Sequence, residues 1–421
     1  MGIDGLPYSL LEKFCEQGVT PYLAELSKAQ KPAKMKVTLP EISAVSWPSF
    51  MTGTGPGTHG IFGFVDLKPN SYDIYFPAFR DLKAPTIWDK LGESGKRSIV
   101  INQPGTYPAR DIPGIIVSGF VAIELVKAVR PPSWIGRIKQ LNYQIDIDTQ
   151  RARKEHKFLF QELDRTLQSR KKAVELLWDE EWDYFQVVVT GTDRLQHYLW
   201  SAIEDGAHEY HEKALRYYSE VDEFVRDVHE KYLKISGESG VGENFFILSD
   251  HGFCGIKQEV YINSWLREKG YLHFEKEGED ISLADVSEKT LAFALDPGRI
   301  YIHRKGRFPK GWVEEEMANE LIERLKKEFE ALEFNGERVI QAVHKRGEIY
   351  AGPEVHRAPD IVLTPFDGFD LKASIVGKGV FRRTDLTGMH TWDDAFFWSS
   401  SQVEENFEIT SCASVVIASL L

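Results

Sequence analysis

The chain predicts an α/β protein: a mostly parallel central sheet with helices on both faces, carrying a smaller α+β cap. Three observations predict it. Phe245-Phe246-Ile247-Leu248 and Phe185-Gln186-Val187-Val188-Val189 are nearly continuous apolar runs, as strands buried on both faces are. Between them, Val221, Val225, Val228 and Tyr232 recur at helical spacing. From about residue 256 to 378 the βαβ rhythm stops, and short strands surround a single helix.

Taken in order, Gly2-Ile3-Asp4-Gly5 reads as the end of a very short strand entering a turn, with helices next over about 7–17 and 21–29, each opened by a proline. Val37-Thr38-Leu39-Pro40 is expected to be a strand. Residues 41–53 read as a turn opening a helix, with a Gly-rich stretch after it over 53–63. A helix is expected over 85–92 and strands over 98–102 and 114–119. Residues 122–180 are charged and helical in pattern and read as an insertion. The run 183–190 returns to a buried strand, a long helix covers about 209–234, and the strand 244–248 ends in Ser249-Asp250-His251-Gly252. The core is therefore assigned residues 1–255 and 379–421, and the cap 256–378 with strands near 299–303, 339–343 and 360–363 around a helix over 312–332.

Composition limits the function classes. The chain has 421 residues, 42% of them hydrophobic, enough for one large core with insertions. A net charge of -13 argues against a surface that coats a nucleic-acid polymer. No run of eighteen apolar residues suggests a membrane span, and Asp4 interrupts any secretory leader. The three cysteines are odd in number and far apart, as expected in a reducing cytoplasm.

Chemistry collects where buried strands stop. Asp4 comes directly after the first strand, and Asp250 and His251 end another. Asp193 and His197 come after a third, spaced i and i+4 on one face of a helical turn, while His390 lies in Gly388-Met389-His390-Thr391. Singly, Asp4 reads equally as a helix cap, His197 as a core histidine and His390 as a loop residue. Jointly, three carboxylates and three imidazoles form the inventory for two divalent metals ~4 Å apart, each with an open position. Mixed oxygen and nitrogen donors suit zinc, and manganese as the alternative. His59 and the histidines at 156, 208, 211, 229, 273, 303, 344 and 356 read as packing or surface residues, and Arg194 as facing substrate or pairing with a local carboxylate.

These pieces resemble the alkaline phosphatase superfamily, in its type I phosphodiesterase/nucleotide pyrophosphatase branch. The resemblance rests on Gly2-Ile3-Asp4-Gly5, on the segment 43–60 ending in Gly57-Thr58-His59-Gly60, on Asp193 and His197, on Ser249-Asp250-His251-Gly252 and on Gly388-Met389-His390-Thr391, in family order. Asn102-Gln103-Pro104-Gly105-Thr106-Tyr107-Pro108 and Gly306-Arg307-Phe308-Pro309-Lys310-Gly311 are similar to a group of archaeal and bacterial phosphodiesterase-like proteins. The resemblance implies one metal on Asp193, His197 and His390, and another on Asp4, Asp250, His251 and a nucleophilic hydroxyl. It implies hydrolysis of phosphodiester or pyrophosphate-type bonds through a phospho-serine, with a small phosphate ester such as a nucleotide as substrate; the cap is expected to select the leaving group, as lids over open sites do.

Two serines compete for the nucleophile. The family places it ten residues before the Gly of a Thr-Gly pair, which from Gly53 gives Ser43. Local physics favours Ser46, because Pro48 is most comfortable in a first helical turn, which would make Ser46 the N-cap. The spacing decides for Ser43. The family's Thr-x-Pro-Asn is here Ser43-Ala44-Val45-Ser46, so the phosphate contact of an Asn is missing. Alternatives within the superfamily are a phosphonate hydrolase or a phosphomonoesterase. A sulfatase would need Pro and Arg where Val45 and Trp47 stand. From another class, the chain is a metal-binding module without turnover.

Overall fold

Strands with apolar side chains on both faces can lie only inside a covered sheet, and a nine-stranded sheet collects them. The computed structural model describes all residues except 240–242, 277, 279, 378, 402–403 and 405–406. Its contacts divide into two compact units: Met1–Thr54, Ala78–Cys254 and Asp385–Leu421 form the first, Gly55–Pro77 and Gly255–Thr384 the second. The Gly-rich start of 55–77, expected in the core, therefore groups with the second unit.

In the first unit the order is β1 (Gly2–Ile3), α1 (Tyr8–Gln17), α2 (Pro21–Ala29), β2 (Ala33–Lys36), α3 (Ser43–Thr52), β3 (Ser98–Gln103), β4 (Gly114–Ser118), β5 (Val129–Arg130), α4 (His156–Leu177), β6 (Tyr184–Val189), α5 (Gly191–Glu204), α6 (His211–Ser239), β7 (Phe246–Leu248), β8 (Gly252–Gly255), β9 (Gly388–Thr391), β10 (Ala395–Ser399) and β11 (Phe407–Glu408). The sheet runs β11-β2-β10-β7-β1-β6-β3-β4-β5. The five central strands, β7-β1-β6-β3-β4, are parallel, and antiparallel neighbours flank them. The core joins Ile3, Ile101, Val187, Val189 and Ile247 to Phe14 of α1, Leu163 and Leu167 of α4, Leu195 of α5 and Val221 and Val225 of α6.

Two elements differ from expectation. The strand expected at residues 37–40 lies at Ala33–Lys36, where Ala33 and Met35 are buried and Lys34 and Lys36 exposed. The period-two alternation marks the strand, and Val37-Thr38-Leu39-Pro40 after it does not continue it. The insertion 122–180 also carries β5, an edge strand antiparallel to β4.

The second unit has an antiparallel four-stranded sheet in the order Ala292–Leu295, Arg299–Ile302, Ile361–Pro365, Ile340–Lys345. Helix Glu315–Glu330 buries Ala318, Leu321, Ile322, Leu325 and Phe329, one stripe at helical spacing. Within this unit Asp360, 1% exposed at its side chain, is an anchor for Arg304, Arg307 and Arg346. Among the described residues, no helix is long and apolar enough to cross a membrane.

Candidate metal centre

Register sets the site. Gly2 pairs with both Val188 of β6 and Leu248 of β7, so these three parallel strands end level with one another. The residues just beyond Ile3, Val189 and Leu248 must share one edge of the sheet. They are Asp4, the first turn of α5 with Asp193 and His197, and Asp250-His251. The Asp4 N–H still pairs with Val189 O at 2.9 Å, which fixes the carboxylate at the edge. Gly5 then turns with φ 68°, and its N–H donates to Asp250 Oδ1 at 3.0 Å. A Cβ there would stand 3.2 Å from the His251 ring, so the turn accepts only glycine without strain. His390 arrives from the far end of the chain because β9 pairs with β8, directly after His251.

Ser43 is the first residue of α3, with Ile42 as its N-cap. Pro48 lies inside the helix, not in its first turn, so the local argument that would have made Ser46 the N-cap does not hold. Nine of the ten residues of α3 are buried, and that burial outweighs the proline's preference. Ser43 Oγ lies 3.0 Å from His251 Nε2 and donates to Asp4 Oδ1 at 3.4 Å. Ser46 is fully buried one turn further on, and among the described residues nothing hydrogen-bonds its Oγ.

The three imidazoles share one orientation. His197 Nδ1 faces Gly388 O at 3.1 Å, His251 Nδ1 faces Gly252 O at 3.0 Å, and His390 Nδ1 faces Glu41 O at 3.0 Å. A carbonyl only accepts, so each Nδ1 carries a proton, which leaves the Nε2 lone pair as each ring's ligand position. Those lone pairs converge: His390 Nε2 is 3.0 Å from His197 Nε2 and 3.2 Å from Asp193 Oδ1. His251 Nε2 stands 3.7 Å from Asp4 Oδ1, 3.4 Å from Asp250 Oδ2 and 3.8 Å from Asp193 Oδ1. Two donor groups result, Asp193 with His197 and His390, and Asp4 with Asp250 and His251; their ligand atoms lie within 4.8 Å of one another in each group.

Burial and close charges set the electrostatics. Burial, with the Asp250 and Asp193 charges beside it, holds Asp4 well above the usual carboxylate range. Burial likewise pushes Asp250 up to about 7. Burial would raise Asp193 too, but His197, His390 and Arg194 hold it well below. Burial lowers His251, and burial with His251 close by lowers His390 to about 3. Inward Nε2 atoms, inward carboxylate oxygens and a buried Asp250 Oδ2 that accepts no hydrogen bond among the described residues form an acceptor-rich cage. Bringing such atoms together is unfavourable without positive charge between them. The donor set fits two divalent cations.

Sequence reasoning missed three partners of these side chains. Trp47 Nε1–H donates to Asp4 Oδ2 at 3.2 Å. The Glu41 carbonyl orients His390. Asp146, from the helical insertion, pairs with Arg194 Nη2 at 2.7 Å, and Arg194 Nη1 donates to Asp193 Oδ2 at 2.9 Å. None carries a local signal, because each contact spans tens to hundreds of positions; only Arg194, beside Asp193 in sequence, was a candidate. His59 is buried with its Nδ1 accepting from the Ile61 N–H at 3.2 Å, a packing role within its turn.

Comparison with known proteins agrees. Phosphonoacetate hydrolase from Sinorhizobium meliloti 1021, in complex with phosphonoformate, superposes with a TM-score of 0.61 at 17% identity, covering 100% of this chain and 94% of that one. Murine ectonucleotide pyrophosphatase/phosphodiesterase 5 superposes with a TM-score of 0.56 at 12% identity, covering 100% and 93%. Alkaline phosphatase PafA gives 0.58 at 13% identity, covering 99% and 95%. No curated protein matches the chain by sequence. The fold is that of the alkaline phosphatase superfamily, and the protein is a hydrolase acting on phosphoric ester bonds. Within that class, the model of the type I phosphodiesterase/nucleotide pyrophosphatase family matches residues 1–393, and the chain belongs to that family.

Proposed function

We propose that the chain hydrolyses phosphodiester and pyrophosphate-type bonds in small esters such as nucleotides, with Ser43 as nucleophile and two divalent ions, zinc before manganese. The observation that carries this is the convergence of three Nε2 lone pairs and three carboxylates beside the Ser43 hydroxyl. Asp193, His197 and His390 would hold one ion, and Asp4, Asp250 and His251, with Ser43 Oγ, the other. Bound there, the ions would supply the positive charge that activates a hydroxyl and stabilises phosphoryl and leaving oxygens.

The chain's own residues do the rest. Ser43 sits at the N-terminus of α3, where the first N–H groups have no helical partner and face an anion favourably. Its oxygen forms a bond to phosphorus as the bond to the leaving oxygen breaks. The serine gives up its proton, and the leaving oxygen takes one up. Water then cleaves the phospho-serine, which releases the phosphate monoester and restores the hydroxyl. Buried Asp4 and Asp250 hold the acceptor side of the site in place through Trp47 and the Gly5 N–H.

The likeness of murine ectonucleotide pyrophosphatase/phosphodiesterase 5, seen in complex with AMP in an inactive form, supports trying nucleotides first. We place the protein in the cytoplasm on its three cysteines, which are odd in number and far apart in the sequence. The test is metal content with turnover of bis-p-nitrophenyl phosphate, a nucleotide diester, a monoester and phosphonoacetate. Two bound ions and fastest turnover of a diester are expected. Two ions with no turnover of any of them would make the protein a metal-binding module, and preference for the monoester or phosphonate would move it to those activities.

A further inference from the structure

The helical insertion contributes a charge to the metal-ligand shell. Arg194 lies between two carboxylates: Nη1 donates to Asp193 Oδ2 at 2.9 Å and Nη2 to Asp146 Oδ2 at 2.7 Å, with Nε 3.4 Å from Asp146 Oδ1. Its guanidinium also lies 4.2 Å over the Phe120 ring. The side chains of Arg194, Asp146 and Asp193 are 12%, 14% and 5% exposed, so the chain of charges is largely dry.

Asp146 does not reach inward from a loose loop. Arg170 of α4, 1% exposed, donates Nη1 to Gln144 O at 2.6 Å and Nη2 to Ile145 O. Glu162, also buried on α4, accepts from the Asp148 N–H at 3.2 Å and from the Gln144 side chain. Ser169 Oγ accepts from the Gln144 N–H at 3.1 Å. Burying an arginine and a glutamate in an α-helical insertion costs stability unless each is fully engaged. Here both Nη groups of Arg170 and a carboxylate oxygen of Glu162 clamp the backbone on either side of Asp146, while Arg170 Nε has no hydrogen-bond partner among the described residues.

We propose that Arg170 and Glu162 fix Asp146, that Asp146 fixes Arg194, and that Arg194 is a positioning residue for Asp193. Arg194 occupies Oδ2 of Asp193, which leaves Oδ1 as the oxygen facing His197 and His390 at 3.4 and 3.2 Å. A fork held at both ends sets the carboxylate's rotation, as groups behind metal ligands do. The insertion thereby sets the affinity of the Asp193 site for its ion, and Arg194 reaches Asp4 only as a more distant charge. This rests on the two-metal proposal above.

The test is zinc titration by chelator competition on the full chain, with the melting temperature of the chelated protein measured beside it. The variants are Asp146→Asn, Arg194→Lys and Arg170→Met. Wild type should bind two zinc ions. Asp146→Asn should weaken one of the two sites about 10–100-fold and spare the other. Arg194→Lys, which keeps the charge but loses the fork that holds Asp193 directly, should weaken the same site at least as much as Asp146→Asn. Arg170→Met should weaken the same site and no other. Two wild-type affinities in Asp146→Asn, whatever its melting temperature, would overturn the positioning role. A wild-type chain that takes up neither zinc nor manganese would remove the two-metal proposal, and this inference with it.

Discussion

Replacing Ser43 and Ser46 separately by alanine should give opposite results, and the structure sets the size of each. Ser43 Oγ stands 3.0 Å from His251 Nε2 among the converging ligands. Its loss removes the nucleophile, and turnover of bis-p-nitrophenyl phosphate should fall by about three decades or more, roughly 4 kcal/mol of barrier. Ser46 has 0% exposure, and no described residue bonds its Oγ. A buried hydroxyl without a partner costs about 1–3 kcal/mol, so Ser46→Ala should be neutral to stabilising. At about 2.1 cal/mol/K of unfolding entropy per residue, the whole chain shifts by roughly a degree per kcal/mol, which puts the gain at about 1–3 °C. Zinc content should be near wild type in Ser46→Ala. Steady-state kinetics and thermal melting of both variants decide the matter. Lost turnover in Ser46→Ala with activity kept in Ser43→Ala would refute the assignment, and a large fall in the melting temperature of Ser46→Ala would show that its hydroxyl is engaged.

The geometry sets three further outcomes. Asp250 is pushed up to about 7, above its unfolded value, so the metal-free chain holds that proton near pH 6 and a cation must displace it. Asp4, in the same donor group, is also held well above the usual range, so zinc affinity measured by titration should rise from pH 5.5 through about 7 as the site loses its protons, with proton release falling over the same range; affinity independent of pH would contradict this. Trp47→Phe removes the hydrogen bond to Asp4 Oδ2 while keeping most of the packing. It should reduce kcat/KM about tenfold and weaken the Asp4 site, and unchanged kinetics would show that Asp4 needs no such support. Asp360→Asn strips three arginines of their shared carboxylate in the second unit. It should destabilise by up to about 3–5 kcal/mol in thermal melts and leave zinc stoichiometry at wild type.

What was legible in the sequence was what burial forces to be local. A strand covered on both faces cannot continue through Asp250-His251 or reach Asp193 without ending, so the ligand-bearing strand ends showed in the residues themselves. His390 showed only as a Gly-flanked histidine, because its approach depends on β9 pairing with β8 across more than a hundred positions. The start of α3 was misleading: Pro48 argued for a start near Ser46, but the helix is buried almost throughout and tertiary packing sets its ends. β2 was displaced because its signal is two buried residues alternating with two lysines, less conspicuous than the Val37 and Leu39 side chains just after it. Asp146 and Trp47 were silent for a different reason. A side chain that supports a ligand from another element has no periodicity and no motif, and only coordinates place it.

The central claim is two cations in two named cages. Diffraction from zinc-loaded crystals at the zinc absorption edge tests it directly. Two anomalous peaks are predicted, one bounded by Asp193, His197 and His390 and the other by Asp4, Asp250 and His251 beside Ser43 Oγ. A single peak, or peaks away from these side chains, would contradict it.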